Sequence, residues 1–261
     1  MSLSRRLLAP ALVALTLFVG GIAQAATFVV PNVTEDAAVS GLNTPLRNAA
    51  RAYQGYVDES QLGALTGPVQ ITGMAFRLAI GTNWSPDGLQ GAGTWPSQDL
   101  TFSQYDIQLS RASAAVQAAG EFPSLTPTFA ANQGGTVTTV RSGALTIPAG
   151  SYTASGSTTT PNAFGFNIQF TTPYLYTPGQ ELVYTIRHSG YSPNGEPQVF
   201  FASDDYTPNA YDAVSSTVGA NAAAPNGFSS PLIVQYTYSA ITVVPEGNTA
   251  LLVGAALPVV G

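Results

Sequence analysis

The sequence predicts an all-β chain, an antiparallel two-sheet β-sandwich or jelly roll, and three observations predict it. Apolar and polar residues alternate over many short stretches, long helical periodicity is scarce, and 26 glycines and 19 prolines divide the stretches with turns. Period-two alternation puts successive side chains on opposite faces, which suits a strand buried on one side. Many such strands between Gly/Pro turns favour sandwiches and barrels.

Eight strands are expected, over 27–30, 69–80, 100–109, 136–147, 164–170, 181–188, 198–202 and 232–243. In the fifth, Phe164, Phe166, Ile168 and Phe170 fall on one face, opposite Gly165, Asn167 and Gln169, and all four are expected to point inward. In the sixth, Leu182, Tyr184 and Ile186 do the same. Residues 111–119 have helix propensity but are few, and are read as a loop with a single helical turn. Two long loops, 83–98 and 203–231, are rich in turn residues, and loops of that length tend to carry function or to be disordered.

Both ends of the chain differ from this pattern. At the start, Arg5 and Arg6 form a positive region, 7–22 form an apolar run, and Ala23-Gln24-Ala25 supplies the small residues read by a signal peptidase. Residues 1–25 are therefore expected to be a secretory signal peptide cleaved before Ala26. Pro10, Gly20 and Gly21 interrupt the run, which argues against a membrane-spanning anchor. The domain is expected over 26–244, long enough for one sizeable β core.

Composition excludes some functions. No cysteine is present, so no disulfide supports the core, and all eight basic residues are arginine. Without Arg5 and Arg6, six basic residues face 14 acidic ones, a formal net charge of −8. A sparsely charged acidic chain is a poor partner for nucleic acid, whose binding rests on phosphate neutralisation. No cofactor is expected. His188, the sole histidine, is read as a surface residue in a turn, and no Gly-x-Ser-x-Gly elbow accompanies it. The chain is accordingly read as non-enzymatic. Asp204, Asp205 and Asp212 lie in one loop and are the candidate calcium ligands, since hard oxygen donors suit that ion. Trp84 and Trp95 bracket the first long loop and are the candidate sugar-stacking residues, which makes a secreted carbohydrate-binding module the alternative reading.

Two resemblances add to this. Val244-Pro245-Glu246-Gly247, followed by the apolar stretch from Thr249, resembles the PEP-CTERM sorting signal. The resemblance implies a transmembrane sorting helix over 245–261, transient residence in the inner membrane, an exosortase-like sorting enzyme as partner beside signal peptidase, and a final place at the cell surface or in an exopolysaccharide-containing matrix. Gly247 stands where that family most often has proline. The family's terminal basic cluster is missing, so the sequence is expected to be truncated at Gly261. Tyr53-Gln54, the run 71–77 (ITGMAFR), Phe129-Ala130-Ala131-Asn132, Val140-Arg141-Ser142-Gly143 and the run 173–182 (PYLYTPGQEL) resemble a β-sandwich domain of secreted PEP-CTERM proteins from planctomycete-like bacteria, a family with no assigned activity.

Terminal sequencing of exported protein is expected to begin at Ala26. Retention of Met1 or Leu3 would refute the cleavage assignment.

Overall fold

The computed structural model describes residues 25–32, 41–81, 85, 87, 89–122, 128–204 and 211–241. Among them seventeen strands form: β1 Ala26–Val30, β2 Gly41–Leu42, β3 Arg51–Val57, β4 Val69–Ala75, β5 Ala92–Trp95, β6 Leu100–Phe102, β7 Tyr105–Ala112, β8 Gln133–Arg141, β9 Leu145–Ile147, β10 Tyr152–Ser155, β11 Ile168–Tyr176, β12 Leu182–His188, β13 Tyr191–Ser192, β14 Phe201–Ala202, β15 Tyr211–Ser216, β16 Gly227–Phe228 and β17 Val234–Ala240. The one α-helix among the described residues is α1, Ala114–Ala119. The chain is all-β, with every strand pairing antiparallel.

Two larger sheets carry the fold. One has four strands in the order β1-β17-β4-β11, the other six in the order β16-β15-β3-β12-β7-β8. A single hydrophobic cluster joins them. Val69, Ile71, Met74, Ile168, Val234 and Tyr236 come from the first sheet, and Tyr53, Val57, Ile107, Leu109, Leu182, Tyr184 and Ile186 from the second. This is a β-sandwich-like arrangement. The outer side of the four-stranded sheet stays wet, with Gln70 and Gln169 exposed, as alternation predicts.

The six-stranded sheet differs, because its far side is buried too. Ala52, Tyr56, Val183 and Val214 project there and meet Val116 of α1, Phe122, Phe129 and Ala222 in a second cluster. Ser113 caps α1 by accepting from Val116 N, and Gly120, at φ +70°, ends it with its N–H on Val116 O. The helix is longer than the single turn expected from 111–119.

Burial on both faces explains the principal omission of the sequence reading. All seven residues of β3 are buried, and Arg51-Ala52-Tyr53-Gln54-Gly55-Tyr56-Val57 has no apolar/polar alternation to recognise. Gly55 is required by packing. It pairs directly with Tyr184, and a Cβ at position 55 would run into the Tyr184 ring. The tyrosine lies across the glycine, a cross-strand arrangement that fills the space the glycine leaves.

Two expected strands break in the middle. The stretch 100–109 turns at Gln104, where Gln104 N donates to Ser189 Oγ at 3.2 Å and Ser189 N donates to Gln104 O at 3.0 Å. Its first part, β6, pairs with β9 and β13, while β7 enters the six-stranded sheet. The stretch 136–147 turns at Gly143, at φ +96°, where the Asp106 carboxylate accepts from Gly143 N and Ser142 Oγ. The expectation for 164–170 also changes. Only Ile168 is fully buried and β11 begins there. Phe166 and Phe170 are half-buried against the main cluster, and Phe164 packs on the small cluster of Val29, Ala202 and Ile233.

The Gly55→Ala variant is expected to lose about 1–3 kcal/mol of unfolding free energy, because the methyl group must displace the Tyr184 ring. Urea denaturation measures this, and a loss below about 0.5 kcal/mol would show that the ring moves aside freely.

Candidate functional site

Of the residues singled out by sequence, Trp95 and His188 meet in one aromatic cluster of the core. The Trp95 ring lies 5.7 Å from Tyr152, 5.8 Å from Phe201 and 6.2 Å from Tyr191. Tyr191 continues to Phe102 at 5.9 Å, and Phe102 reaches Tyr105 at 5.2 Å and His188 at 5.4 Å. Tilted and edge-on contacts at these separations suit the quadrupoles of the rings. The polar edges reach backbone carbonyls: Trp95 Nε1 donates to Pro197 O at 2.7 Å, Tyr191 Oη to Glu196 O at 3.1 Å and Tyr105 Oη to Pro45 O at 3.0 Å. Trp95 is 1% exposed, so its faces are not available to stack on a sugar in this conformation. Trp84 lies outside the described residues.

The stretch expected as the first long loop contains β5, which ends at Trp95, and is fastened to the segment 196–198. Ser85 Oγ donates to Gln198 O, and the Asp87 carboxylate accepts from Gln198 N at 2.8 Å. The Glu196 carboxylate accepts from Ser97 N at 2.5 Å and from Ser97 Oγ at 2.8 Å, although Glu196 is only 4% exposed. Glu196 was not legible in the sequence, since an acid in Asn194-Gly195-Glu196-Pro197 reads as a solvated turn residue. Its partner lies 99 positions away, and no local signal marks the pair.

His188 corrects the surface-turn expectation. It ends β12 but is 1% exposed, stacked on Tyr105 at 5.7 Å with 12° between the planes. Gly190 N donates to Nδ1 at 3.1 Å, and Nε2 lies 2.8 Å from Thr44 O. An N–H can only donate and a carbonyl only accept, so the ring is the neutral tautomer protonated at Nε2. Both nitrogens are occupied by backbone, and neither is available as a general base. Burial pushes the imidazole down to about 4 from its usual 6.5; the Thr44 carbonyl opposes the shift and Arg51 adds to it.

The acids of the second loop separate. Asp212 serves the fold: its Oδ2 accepts from Phe122 N at 2.9 Å and its Oδ1 from Ala213 N at 2.7 Å, tying the end of α1 to β15. Burial pushes its carboxyl up from the usual value, and the two backbone N–H groups oppose that. Asp204 is buried, with its N–H on Pro231 O, and Asp205 lies outside the described residues. Among the described residues no three His, Cys, Asp or Glu side chains gather as a metal site would require.

A groove of about 260 Å³ lies between the 64–69 turn and Tyr238, Ala240 and Ile241, where the chain leaves β17. Among the described residues no helix is long and apolar enough to cross a membrane. Ala23, the sorting motif Val244 to Gly247 and the apolar helix expected over 245–261 lie outside the described residues; Ala25 and Ala26 lie inside, exposed at the start of β1. Comparison of the chain with protein-family models, with curated proteins and with solved structures finds no match.

The histidine yields a pH prediction. The unfolded chain takes up its proton near pH 6.5 and the folded chain only near pH 4. Stability from this group is therefore complete above pH 6.5 and declines as pH falls from 6.5 to 4, by about 3 kcal/mol in all. Denaturant unfolding of the His188→Gln variant, whose amide can take both backbone partners, should lack this slope. An unchanged slope would assign it to carboxylates.

Proposed function

We propose that this chain is an exported, non-enzymatic cell-surface or extracellular-matrix protein, delivered by a PEP-CTERM/exosortase-type system. The observation that carries the proposal is the position of the first and last described strands on the folded domain. β1 begins at Ala26, the residue after the expected cleavage, and β17 ends at Ala240, shortly before Val244. The two strands pair antiparallel with Ala26 opposite Tyr238, so both ends leave the four-stranded sheet side by side. Such a domain has its polypeptide entrance and exit at one pole. A tail held in the inner membrane would leave the opposite pole facing outward.

The same reading takes the two larger sheets as the leaves of a two-sheet sandwich with jelly-roll connectivity. It takes 245–261 as the apolar sorting helix, with signal peptidase and an exosortase-like enzyme as processing partners and exopolysaccharide as the surrounding material. Pro245 supports a boundary there, because it cannot donate to a β-ladder and so ends a strand.

Deleting Pro245 to Gly261 is expected to leave the thermal midpoint within a few degrees while changing where the protein accumulates, measured by thermal unfolding and by cell fractionation. A domain that no longer folds would make the tail part of the sheet and remove this support.

A further inference from the structure

We propose that β1 is an exchangeable strand, and that the partner on this face is a second copy of the chain that supplies its own β1 to the edge of β17. The exchange rests on the sheet edge and stands whether or not the chain is exported.

β1 is an edge strand at the beginning of the described chain. A single five-residue ladder with β17, Ala26 opposite Tyr238 to Val30 opposite Val234, holds it in the sheet. Its sequence nevertheless fills a specific apolar groove. Val30 is fully buried in the main cluster, and Val29 is buried with Ala202 and Ile233 in the small one. The Phe28 ring lies 5.2 Å from Tyr236 and 5.5 Å from Tyr238. Without β1 the edge of β17 would expose Val234, Ile233 and Tyr236, all fully buried in the intact sheet. That edge also presents unpaired backbone groups, a template for any matching strand.

The strand that fits this template best is Ala26-Thr27-Phe28-Val29-Val30 itself, and every further copy carries one. Between Asn32 and Gly41 lie eight residues whose extended length is at most about 28 Å, the reach within which an exchanged β1 must find the second copy's β17. An exchanged β1 makes the same ladder and fills the same groove, so what each molecule gives up within itself is regained between two. Strand addition of this kind takes affinity from backbone hydrogen bonds and specificity from the pockets for alternate side chains.

The absence of cysteine allows a direct test in the full chain. Thr27 and Thr237 are opposite each other in the ladder. Full-length T27C and T237C proteins are mixed, equilibrated and treated with a short bis-maleimide. T27C mixed with T153C, an exposed position on β10, is the control for random collision. The doubly substituted T27C/T237C chain, which should link within one molecule, reports that the substituted sheet folds. The mass of the unsubstituted chain is measured by light scattering over a range of concentrations. The expected result is a T27C–T237C covalent pair several-fold above the control, with an oligomer of the unsubstituted chain that grows with concentration. Pairing no greater than the control overturns the proposal. So does an oligomer without the 27–237 link, which would mean that copies meet through another surface.

Discussion

Strands β3 and β12 are covered on both faces, and much of the remaining architecture follows from how that double burial is satisfied. On one side they face the four-stranded sheet through Tyr53, Val57, Leu182, Tyr184 and Ile186. On the other, Ala52, Tyr56 and Val183 need a cover, which the chain builds from α1, Phe122, Phe129 and the segment around Ala222. The cover is fastened by polar groups that would otherwise be costly to bury. Gln54, completely buried, donates to Phe129 O at 3.0 Å and to Thr185 Oγ1 at 2.8 Å, and accepts from Asn132 Nδ2 at 2.7 Å. Arg187 donates to Ala220 O and Ala222 O while its guanidinium lies 5.0 Å from the centre of the Phe129 ring. A buried amide with its partners in place adds specificity, whereas one left unsatisfied costs about 1–3 kcal/mol.

At one end of the core the same principle operates with aromatic rings. Trp95, Tyr105 and Tyr191 bury broad apolar faces and place their single polar atoms on backbone carbonyls from neighbouring loops. Each such residue contributes area and also fixes a loop. This suits a chain that has no disulfide and in which only 8% of residues are charged. Burial favours the neutral form of a titratable group, and the neutral histidine within this cluster is one result.

The surface carries a different message. Trp95, Asp212 and His188 all serve packing or tie backbone segments together in the described structure. The first and last described strands, β1 and β17, pair with each other, and β17 ends beside the groove at Tyr238, Ala240 and Ile241. The proposed address and the proposed strand exchange both involve this one sheet edge, β1 on β17.

Some of this was legible in the sequence. Alternation in Leu182-Val183-Tyr184-Thr185-Ile186 and in Val234–Ala240, within the expected 232–243, reported strands, because each has a face that packs into the main core. The all-β class followed from local residue order. The tertiary structure alone decided the rest. β3 escaped notice because Arg51-Ala52-Tyr53-Gln54-Gly55-Tyr56-Val57 has no apolar/polar alternation, whereas β12, also buried on both faces, keeps Leu182, Tyr184 and Ile186 on one of them. His188 looked like a surface residue because its burial comes from Thr44, Phe102 and Tyr105, all distant in sequence. Trp95 and Asp212 looked like binding residues because aromatic rings and acids in loops have two uses, and the choice rests on partners about a hundred positions away. Local pattern records which face of a strand is apolar; it does not record what the other face will meet.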